Sequence, residues 1–335
     1  MKIAILDDYQ DTVRKLECFD MLAAHEVKIF NNSVKGPGQL AARISDAEVL
    51  VLIRERTRVG KDLVSKLPNL RLIVQTGRVG PHIDVEACTE RGIAVAEGIG
   101  SPIAPAEFTW ALLMAAMRRL PQYVTNLKHG VWQQSALKSA HSPTNHGLGE
   151  VLFGKTLGIW GYGKIGRIIA TYGAAFGMNV LVWGSETSRN AAREHHLETA
   201  SAKEDLFERS DIVTLHLRLV DATRGIITLS DLQSMKATSL LVNTSRAELM
   251  EPGALVTAMN SGRPGLAAVD VFETEPPLSG QPLLRMDNVI CTPHLGYVEK
   301  SSYAFYFSTA FQNILGFVAG NPQNIVNPSA LVVTR

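Results

Sequence analysis

Cysteine is scarce in this chain, and its scarcity excludes several kinds of site. Only Cys18, Cys88 and Cys291 are present among 335 residues, and no two of them have CxxC spacing. We therefore expect no zinc ribbon, no dithiol redox pair and no other metal site. An odd, sparse set of cysteines is typical of a reducing compartment. Asp7 and Asp8 stand where a signal peptide would continue apolar, so the sequence predicts a cytoplasmic protein.

Long apolar runs and blocks of like charge are also missing. Apolar runs such as Ala111–Met117 fall far short of the roughly 20 residues that span a bilayer. The formal net charge is +1, without a long run of one sign. We therefore expect neither a membrane nor a nucleic acid as a partner.

Length and apolar content favour two packed α/β domains. The chain has 335 residues, and 46% of them are hydrophobic. A chain of this length is too long for one ordinary hydrophobic core. Short apolar runs alternate with amphipathic stretches, as in parallel βαβ units covered on both faces. The strands predicted for a first series are Ile3–Leu6, Val27–Phe30, Val49–Ile53, Leu72–Val74 and Ala94–Ala96. Those of a second series are Thr156–Trp160, Val180–Trp183, Ile212–Leu217, Leu240–Asn243, Leu266–Val269 and Val289–Cys291.

Three further segments complete the predicted architecture. Glu107–Leu120 has the pattern of a long apolar helix stopped by Pro121, and the polar residues 135–145 predict an arm or loop. Lys300–Val318 is rich in aromatic residues at helical spacing. A single terminal helix cannot form a domain, so it must pack on one of the two. The predicted fold class is α/β with two doubly wound parallel-sheet domains.

The most specific local motif is a GxGxxG turn, which reads Gly161-Tyr162-Gly163-Lys164-Ile165-Gly166. It follows the apolar strand Leu157–Trp160 and opens the apolar helix Ile165–Ala175, the context that makes the motif informative. Gly161 permits a tight turn, Gly163 lets a pyrophosphate approach the backbone, and Gly166 lets the helix pack closely. The helix N-terminus would then bind the phosphates of a dinucleotide.

The choice between NAD and NADP stays open at this level. In dinucleotide-binding folds an acid at the end of the next strand binds the ribose hydroxyls, but Val180–Trp183 ends without one. Glu186 lies slightly beyond, and by reaching back it would favour NAD. Alternatively, Ser185, Ser188 and Arg189 would bind a 2′-phosphate and favour NADP.

Three downstream segments carry candidate catalytic residues, each after the carboxyl end of an apolar strand, where parallel sheets bind ligands. Histidine titrates near neutral pH, so His294 suits a proton donor to a carbonyl. A carboxylate such as Glu275 favours imidazolium and fixes the ring. Arg246 can bind a substrate carboxylate with two hydrogen bonds. Each residue alone is more typical of an ordinary loop or core position; their co-occurrence in this order behind a dinucleotide turn is the informative signal.

The order of motifs resembles that of the D-2-hydroxyacid dehydrogenase family over essentially the whole chain. After GxGxxG come Asn-Thr-Ser-Arg, Asp-Val-Phe-Glu-Thr-Glu-Pro and Thr-Pro-His-Leu-Gly. The resemblance implies that Arg246 binds substrate, that Glu275 pairs with the acid/base His294, and that Asp270 binds the nicotinamide carboxamide. The related formate dehydrogenases carry glutamine at the position of Glu275. Together with the local reading, the expected cofactor-binding set is Gly161, Gly163, Lys164, Ile165, Gly166, Ser185, Glu186, Arg189, His216, Thr244, Asp270 and Gly296.

The resemblance also suggests a substrate-binding side. Arg54 and Arg56, after a predicted strand, are candidates for binding an anionic substrate, although solvated loop charges are equally consistent with the pattern. The loop containing Gly77, Arg78 and Val79 matches the family segment whose backbone amides bind the substrate carboxylate. The family commonly has a second glycine where this chain has Val79, so the amide arrangement is expected to differ.

The family layout assigns residues 1–100 to substrate binding and 101–298 to a Rossmann dinucleotide-binding domain, with 299–335 returning to the first domain. The expected substrate is a small 2-keto or 2-hydroxy acid such as glyoxylate, hydroxypyruvate or phenylpyruvate, and 3-phosphoglycerate is a variant. No appended effector-binding domain is expected. The family further implies a homodimer through Glu107–Leu120 and an arm over 126–146. The alternative is a dinucleotide-binding sensor or corepressor without turnover.

Overall fold

The computed structural model describes residues 1–34, 36–133 and 148–333. The predicted polar loop over 135–145 lies outside these residues. The chain divides into two compact units. Unit 1 comprises Met1–Ser101 and Glu299–Arg335, and unit 2 comprises Pro102–Val298.

Unit 1 begins as a parallel sheet of five short strands in the order β2-β1-β3-β4-β5. The strands are β1 (Lys2–Ile5), β2 (Glu26–Ile29), β3 (Val49–Leu52), β4 (Leu72–Gln75) and β5 (Ala94–Glu97). The α-helices between them are α1 (Pro37–Arg43), α2 (Lys61–Val64) and α3 (Val85–Glu90). Every residue of β3 and β4 is buried, which explains why these strands are continuous apolar runs. The strand order reverses between β1 and β3, as in flavodoxin-like sheets.

Unit 2 contains a parallel sheet of seven strands in the order β12-β11-β10-β9-β6-β7-β8. Two helices precede it, α4 (Ile103–Met117) and α5 (Leu120–Lys128). The strands are β6 (Thr156–Trp160), β7 (Asn179–Trp183), β8 (Glu198–Thr199), β9 (Ile212–Leu215), β10 (Leu240–Asn243), β11 (Leu266–Val269) and β12 (Val289–Cys291). The helices among them are α6 (Lys164–Ala175), α7 (Glu186–Glu194), α8 (Lys203–Arg209), α9 (Leu229–Ser234) and α10 (Ala254–Asn260). The order reverses between β6 and β9, the position at which Rossmann sheets bind a dinucleotide. Two doubly wound parallel-sheet units confirm the predicted fold class.

The chain returns to unit 1 through the long helix α11 (Lys300–Val318), which has the predicted bounds. Its buried aromatic side chains include Phe307 and Phe311, and the Phe311 ring lies 6.4 Å from that of Phe19. The aromatic residues of this segment therefore pack the core of unit 1.

The helix predicted over Glu107–Leu120 is present, but its bounds differ. The structure begins α4 at Ile103 and ends it at Met117, and a separate helix starts at Leu120. Proline is compatible with the first turn of a helix, where its missing N–H has no partner to lose. Pro121 therefore lies in the first turn of α5 instead of stopping α4. Within the described part of the chain, no helix combines the length and apolarity needed to cross a membrane.

Candidate active site

The glycine turn joins β6 to α6 at the carboxyl edge of the seven-stranded sheet. Gly161 has φ of 101°, and a Cβ there would lie 2.6 Å from the carbonyl oxygen of His216. A Cβ at Gly166 would overlap the Gly161 carbonyl oxygen, so this glycine lets the first turn of α6 lie against the loop. At Gly163 nothing lies within 4 Å of the Cβ position. Two glycines thus serve close packing, and the third leaves space open.

This turn fits the pyrophosphate of a dinucleotide. The open side of Gly163 gives access to the backbone, and α6 begins at the next residue, Lys164. No side chain caps the start of this helix, so the early amides, including that of Ile165, are available to an anion. The turn that the motif predicts is therefore present, with open space at Gly163 and an uncapped helix start that could hold a phosphate.

The connection from β7 to α7 carries the residues expected near the ribose. Ser185 caps α7 by accepting a hydrogen bond from the amide of Ser188. Glu186 begins the helix and pairs with Arg189 at 2.5 Å and Arg193 at 3.5 Å. The Arg189 guanidinium lies 4.5 Å from the centre of the Trp183 ring. Glu186 is therefore engaged by two cations and has its pKa lowered, chiefly by the hydrogen bond from Arg189.

His216 follows β9 and lies beside the glycine turn. Its backbone oxygen faces Gly161, and its Nε2 lies 3.0 Å from the Thr214 hydroxyl. Desolvation by the surrounding protein lowers the pKa of His216 to about 3. The ring is therefore neutral at physiological pH and is unsuited to attract phosphate by charge. Arg218, two residues on, is exposed.

His294 and Glu275 form the central hydrogen-bonded pair of the candidate site. The His294 Nδ1 lies 2.6 Å from Glu275 Oε2, while Glu275 Oε1 accepts a hydrogen bond from the Phe272 amide at 2.9 Å. Because Nδ1 is directed at the carboxylate, Nε2 is the ring nitrogen left to exchange a proton with a ligand. Tyr297, itself buried, stands edge-on to His294 with ring centres 5.3 Å apart. The pairing predicted from the motifs is thus present in the geometry.

The turn that carries His294 is fixed by Asp270, the residue after β11. Its carboxylate accepts hydrogen bonds from the Thr292 hydroxyl at 2.7 Å and from the amides of Leu295 and Gly296 at 2.8 and 2.9 Å. Burial raises the pKa of Asp270, and these hydrogen bonds oppose that rise. His294 itself has φ of 53°, a backbone conformation that L-residues rarely adopt. The surrounding hydrogen bonds therefore impose the direction of the histidine.

Arg246 is presented by a turn that the Asn-Thr-Ser-Arg motif builds. The buried Asn243 side chain accepts from the Ser245 amide at 3.0 Å and donates to the Arg246 carbonyl at 2.9 Å. The Arg246 guanidinium donates to the Ser245 carbonyl at 2.5 Å. Thr244 contacts the hydroxyl of Thr109 in α4, a residue that sequence reasoning missed. The contact spans 135 residues of sequence, so no local pattern signals it.

In unit 1, Arg54 lies against the loop that was expected to bind substrate. Its guanidinium occupies the space a Cβ would need at Gly77, and its φ is 52°. Arg78 is exposed, whereas the Val79 amide donates to Glu97 at 3.2 Å. The Val79 amide is therefore already used within unit 1.

Arg56 lies in a polar cluster at the end of β1. Its guanidinium donates to the Asp7 carbonyl at 2.6 Å and to the Tyr303 hydroxyl at 3.1 Å, and lies 4.5 Å from the centre of the Tyr9 ring. The Asp7 carboxylate is in turn bound by Ser33 and Thr57. The sequence did not predict this cluster, because its members come from distant parts of the chain.

The part of the chain that the structure describes contains no group of three or more His, Cys, Asp or Glu side chains placed to bind a metal ion.

Comparison with known proteins gives consistent matches. The family model described as D-isomer specific 2-hydroxyacid dehydrogenase, NAD binding domain, matches residues 110–296. The glyoxylate reductase of Aeropyrum pernix is 36% identical over 323 residues, 95% of each chain. The D-3-phosphoglycerate dehydrogenase of Methanocaldococcus jannaschii is 34% identical over 98% of this chain, which spans only 59% of that protein. A crystal structure from Ralstonia solanacearum, provisionally assigned as a D-3-phosphoglycerate dehydrogenase oxidoreductase, is 63% identical. Its TM-score is 0.97, over 99% of this chain and 98% of that one.

Proposed function

Because the chain belongs to the D-isomer specific 2-hydroxyacid dehydrogenase family, we propose that it interconverts a D-2-hydroxy acid and its 2-keto acid with a nicotinamide dinucleotide. The observation that carries this proposal is the 2.6 Å pair of His294 and Glu275, set on the same sheet edge as an open glycine turn. A protein that only senses a dinucleotide has no use for such an acid/base pair. The alternative of a sensor or corepressor therefore has less support.

The bound cofactor, NAD or NADP, supplies or accepts the hydride. During keto-acid reduction His294 donates its Nε2 proton to the carbonyl oxygen, and during oxidation the neutral ring accepts that proton from the hydroxyl. Glu275 keeps Nδ1 engaged and stabilises the imidazolium. Arg246 binds the substrate carboxylate and orients the carbonyl.

We assign the cofactor to unit 2. The glycine turn with Lys164 and Ile165 binds the pyrophosphate, and the β7–α7 connection with Ser185, Glu186 and Arg189 surrounds the adenosine ribose. His216, Thr244, Asp270 and Gly296 lie after later strands of the same sheet and belong to the nicotinamide half. The two sheet halves of a Rossmann fold bind the two nucleotides in this way.

Unit 1 supplies further substrate contacts in this proposal. Arg54 is the cation at the carboxyl end of β3 whose side chain lies against Gly77. The amides of Gly77 and Arg78 are the loop donors we assign to the substrate, because the Val79 amide is bound to Glu97. Arg56 is engaged by Asp7 and Tyr303, so we assign it to shaping unit 1.

We also propose that the chain forms a homodimer through α5. No residue of this helix is buried. Leu120, Val124 and Leu127 lie on one helical face, and each side chain is more than half exposed, at 51%, 51% and 56%. Trp132 follows at 67% exposure. An exposed apolar patch of this kind marks an interface. The remainder of the predicted arm, 134–146, lies outside the described residues.

A cytoplasmic location and the absence of nucleic-acid partners remain part of the proposal. Three cysteines without a disulfide support the location, and a net charge of +1 supports the second point.

The test is to add 2-keto acids of graded size to the purified protein with NADH or NADPH, and to follow the absorbance of the reduced cofactor. We expect at least one keto acid to be reduced to its D-hydroxy acid while the NADH or NADPH is oxidised. If the protein binds the dinucleotide but no keto acid in the panel causes its oxidation, the alternative of a dinucleotide-binding sensor would be favoured.

A further inference from the structure

Thr109 is a buried hydroxyl that the reaction scheme above does not use. It lies in α4 with 0% of its surface exposed. Its Oγ1 lies 2.7 Å from the carbonyl oxygen of Pro105, four residues earlier, and 2.7 Å from Thr244 Oγ1. Two short contacts to one hydroxyl in the interior fix the direction of its proton.

Counting protons gives the direction of both hydrogen bonds. A carbonyl oxygen only accepts, so the Thr109 O–H must donate to Pro105. The single proton of Thr109 is then used, and Thr109 accepts from the Thr244 O–H. Thr244 has also used its only proton, so it presents lone pairs alone to any ligand. Thr109 thereby converts Thr244 from a group that donates or accepts into an acceptor.

Thr244 lies where an acceptor would meet the cofactor. It follows β10, and the amide of Asp270, the residue after neighbouring β11, donates to the Asn243 carbonyl at 3.0 Å. Thr244 and Asp270 therefore extend adjacent strands, whose spacing is about 4.8 Å. The segment of α4 that carries Thr109 also lies beside Gly296, since Phe108 lies 3.9 Å from the Gly296 Cβ position. Thr244 itself is partly exposed.

The nicotinamide carboxamide carries two N–H donors on one nitrogen, and it is the group with such donors in the half of the cofactor that we assign to Thr244 and Asp270. Asp270 offers one acceptor, but three of its carboxylate's hydrogen bonds already go to Thr292, Leu295 and Gly296. A second acceptor beside it would satisfy the other N–H. A hydroxyl free to rotate would supply that acceptor only part of the time.

We propose that Thr109 is a positioning residue, which fixes the Thr244 hydroxyl as an acceptor for a carboxamide N–H of the nicotinamide. The inference rests on the proposed dinucleotide site and adds a specific contact to it. It predicts that the Thr109 hydroxyl contributes to cofactor binding without touching the cofactor.

The experiment compares Thr109→Val, Thr109→Ser and Thr244→Val by calorimetric titration with NAD⁺ and with 3-acetylpyridine adenine dinucleotide, whose acetyl group lacks the N–H donors. If wild type prefers 2′-phosphorylated cofactors, the corresponding phosphorylated pair is used. Thr109→Val and Thr244→Val should each weaken binding of the carboxamide cofactor about 3- to 10-fold, the range of one hydrogen bond. Binding of the acetylpyridine analogue should change less than about twofold. Thr109→Ser keeps the hydroxyl and should resemble wild type.

Equal weakening for both dinucleotides would show that Thr109 acts only by packing, and would overturn the proposal. Unchanged affinity of a folded Thr109→Val for the carboxamide cofactor would overturn it as well. If Thr109→Val fails to fold, Thr244→Val decides the test, and equal weakening for both dinucleotides or unchanged affinity in that variant would overturn the proposal. Failure of wild type to bind either dinucleotide would instead contradict the proposed function itself, and the two failures are thereby told apart.

Discussion

His294 combines an uncommon backbone conformation with a fixed partner. Its φ of 53° costs on the order of 1–3 kcal/mol for a residue other than glycine. The hydrogen bonds from Leu295 and Gly296 to Asp270 oppose that cost by holding the turn. Strain of this kind is common where a side chain must point in one direction. The turn, and not the histidine alone, therefore directs the His294 side chain.

A stability measurement tests the environment of His216. Its pKa falls from 6.5 to about 3 in the folded state, so the folded protein binds this proton less readily than the unfolded chain does. The stabilisation is complete above pH 6.5 and is lost as the pH falls towards 3, by up to about 1.4 kcal/mol per pH unit. Between pH 7 and 5, wild type should lose about 2 kcal/mol more unfolding free energy than His216→Gln, measured by urea denaturation. Parallel losses in the two proteins would show that His216 is readily protonated in the folded state.

The glycine turn gives an element-scale prediction with an internal control. Gly163→Ala meets no atom within 4 Å, so the variant should fold with the wild-type melting temperature. It should nevertheless bind NADH or NADPH at least about tenfold more weakly, because the methyl group blocks the approach of the pyrophosphate.

Gly166→Ala should behave in the opposite way, since its Cβ would overlap the Gly161 carbonyl oxygen. Overpacking of this kind costs about 1–3 kcal/mol, which a thermal melt would detect. If the Gly163→Ala protein binds the cofactor like wild type, the pyrophosphate does not bind at this turn.

The β7–α7 connection gives a second element-scale prediction. Glu186 pairs with Arg189 and Arg193, so Glu186→Gln releases both guanidinium groups from a carboxylate. The ratio of kcat/KM for NADPH to that for NADH should rise about tenfold, since arginine favours a 2′-phosphate and the acid disfavours it. Glu198→Gln, which removes an acid paired with Arg209 elsewhere in unit 2, is the matched control. If Glu186→Gln leaves the NADPH-to-NADH ratio of kcat/KM unchanged, the adenosine ribose does not bind at this connection.

The sequence predicted the strands well because buried parallel strands are continuous apolar runs, as in β3 and β4. The strand predicted over Ile212–Leu217 was two residues too long, since β9 ends at Leu215 and the chain then turns towards the glycine loop. Helix bounds were less predictable where proline is allowed in a first turn, and Glu107 consequently falls outside the first turn of α4. Short polar helices such as α7 lack an apolar stripe and were missed.

The contact between His294 and Glu275 was predictable because motif and chemistry coincide there, and the role of Arg246 stays a prediction. The candidate site was not predictable where distant segments meet. The Arg56–Tyr303 hydrogen bond spans 247 residues and the Thr109–Thr244 contact spans 135. Such contacts depend on tertiary packing, which one sequence does not encode in a local pattern.

At the scale of the whole molecule, the exposed face of α5 predicts self-association. Val124→Asp places a charge among Leu120 and Leu127 and should shift the protein from dimer to monomer, measured by sedimentation velocity. Thr125→Asp adds the same charge at an exposed neighbouring position away from that face and should stay dimeric. Monomeric wild-type protein would contradict the proposed interface, as would a Val124→Asp variant that remains dimeric.

In the proposed reaction His294 transfers the proton while the cofactor transfers the hydride, and one comparison tests both roles. Wild type and His294→Asn, whose asparagine tolerates the left-handed backbone, are mixed with the preferred reduced cofactor and a 2-keto acid. Wild type should form the D-hydroxy acid, and the variant should bind cofactor with unchanged affinity but turn over about 10²- to 10⁴-fold more slowly. Wild-type turnover in His294→Asn would contradict the proposed role of His294, and an L-hydroxy acid as the product would contradict the proposed reaction.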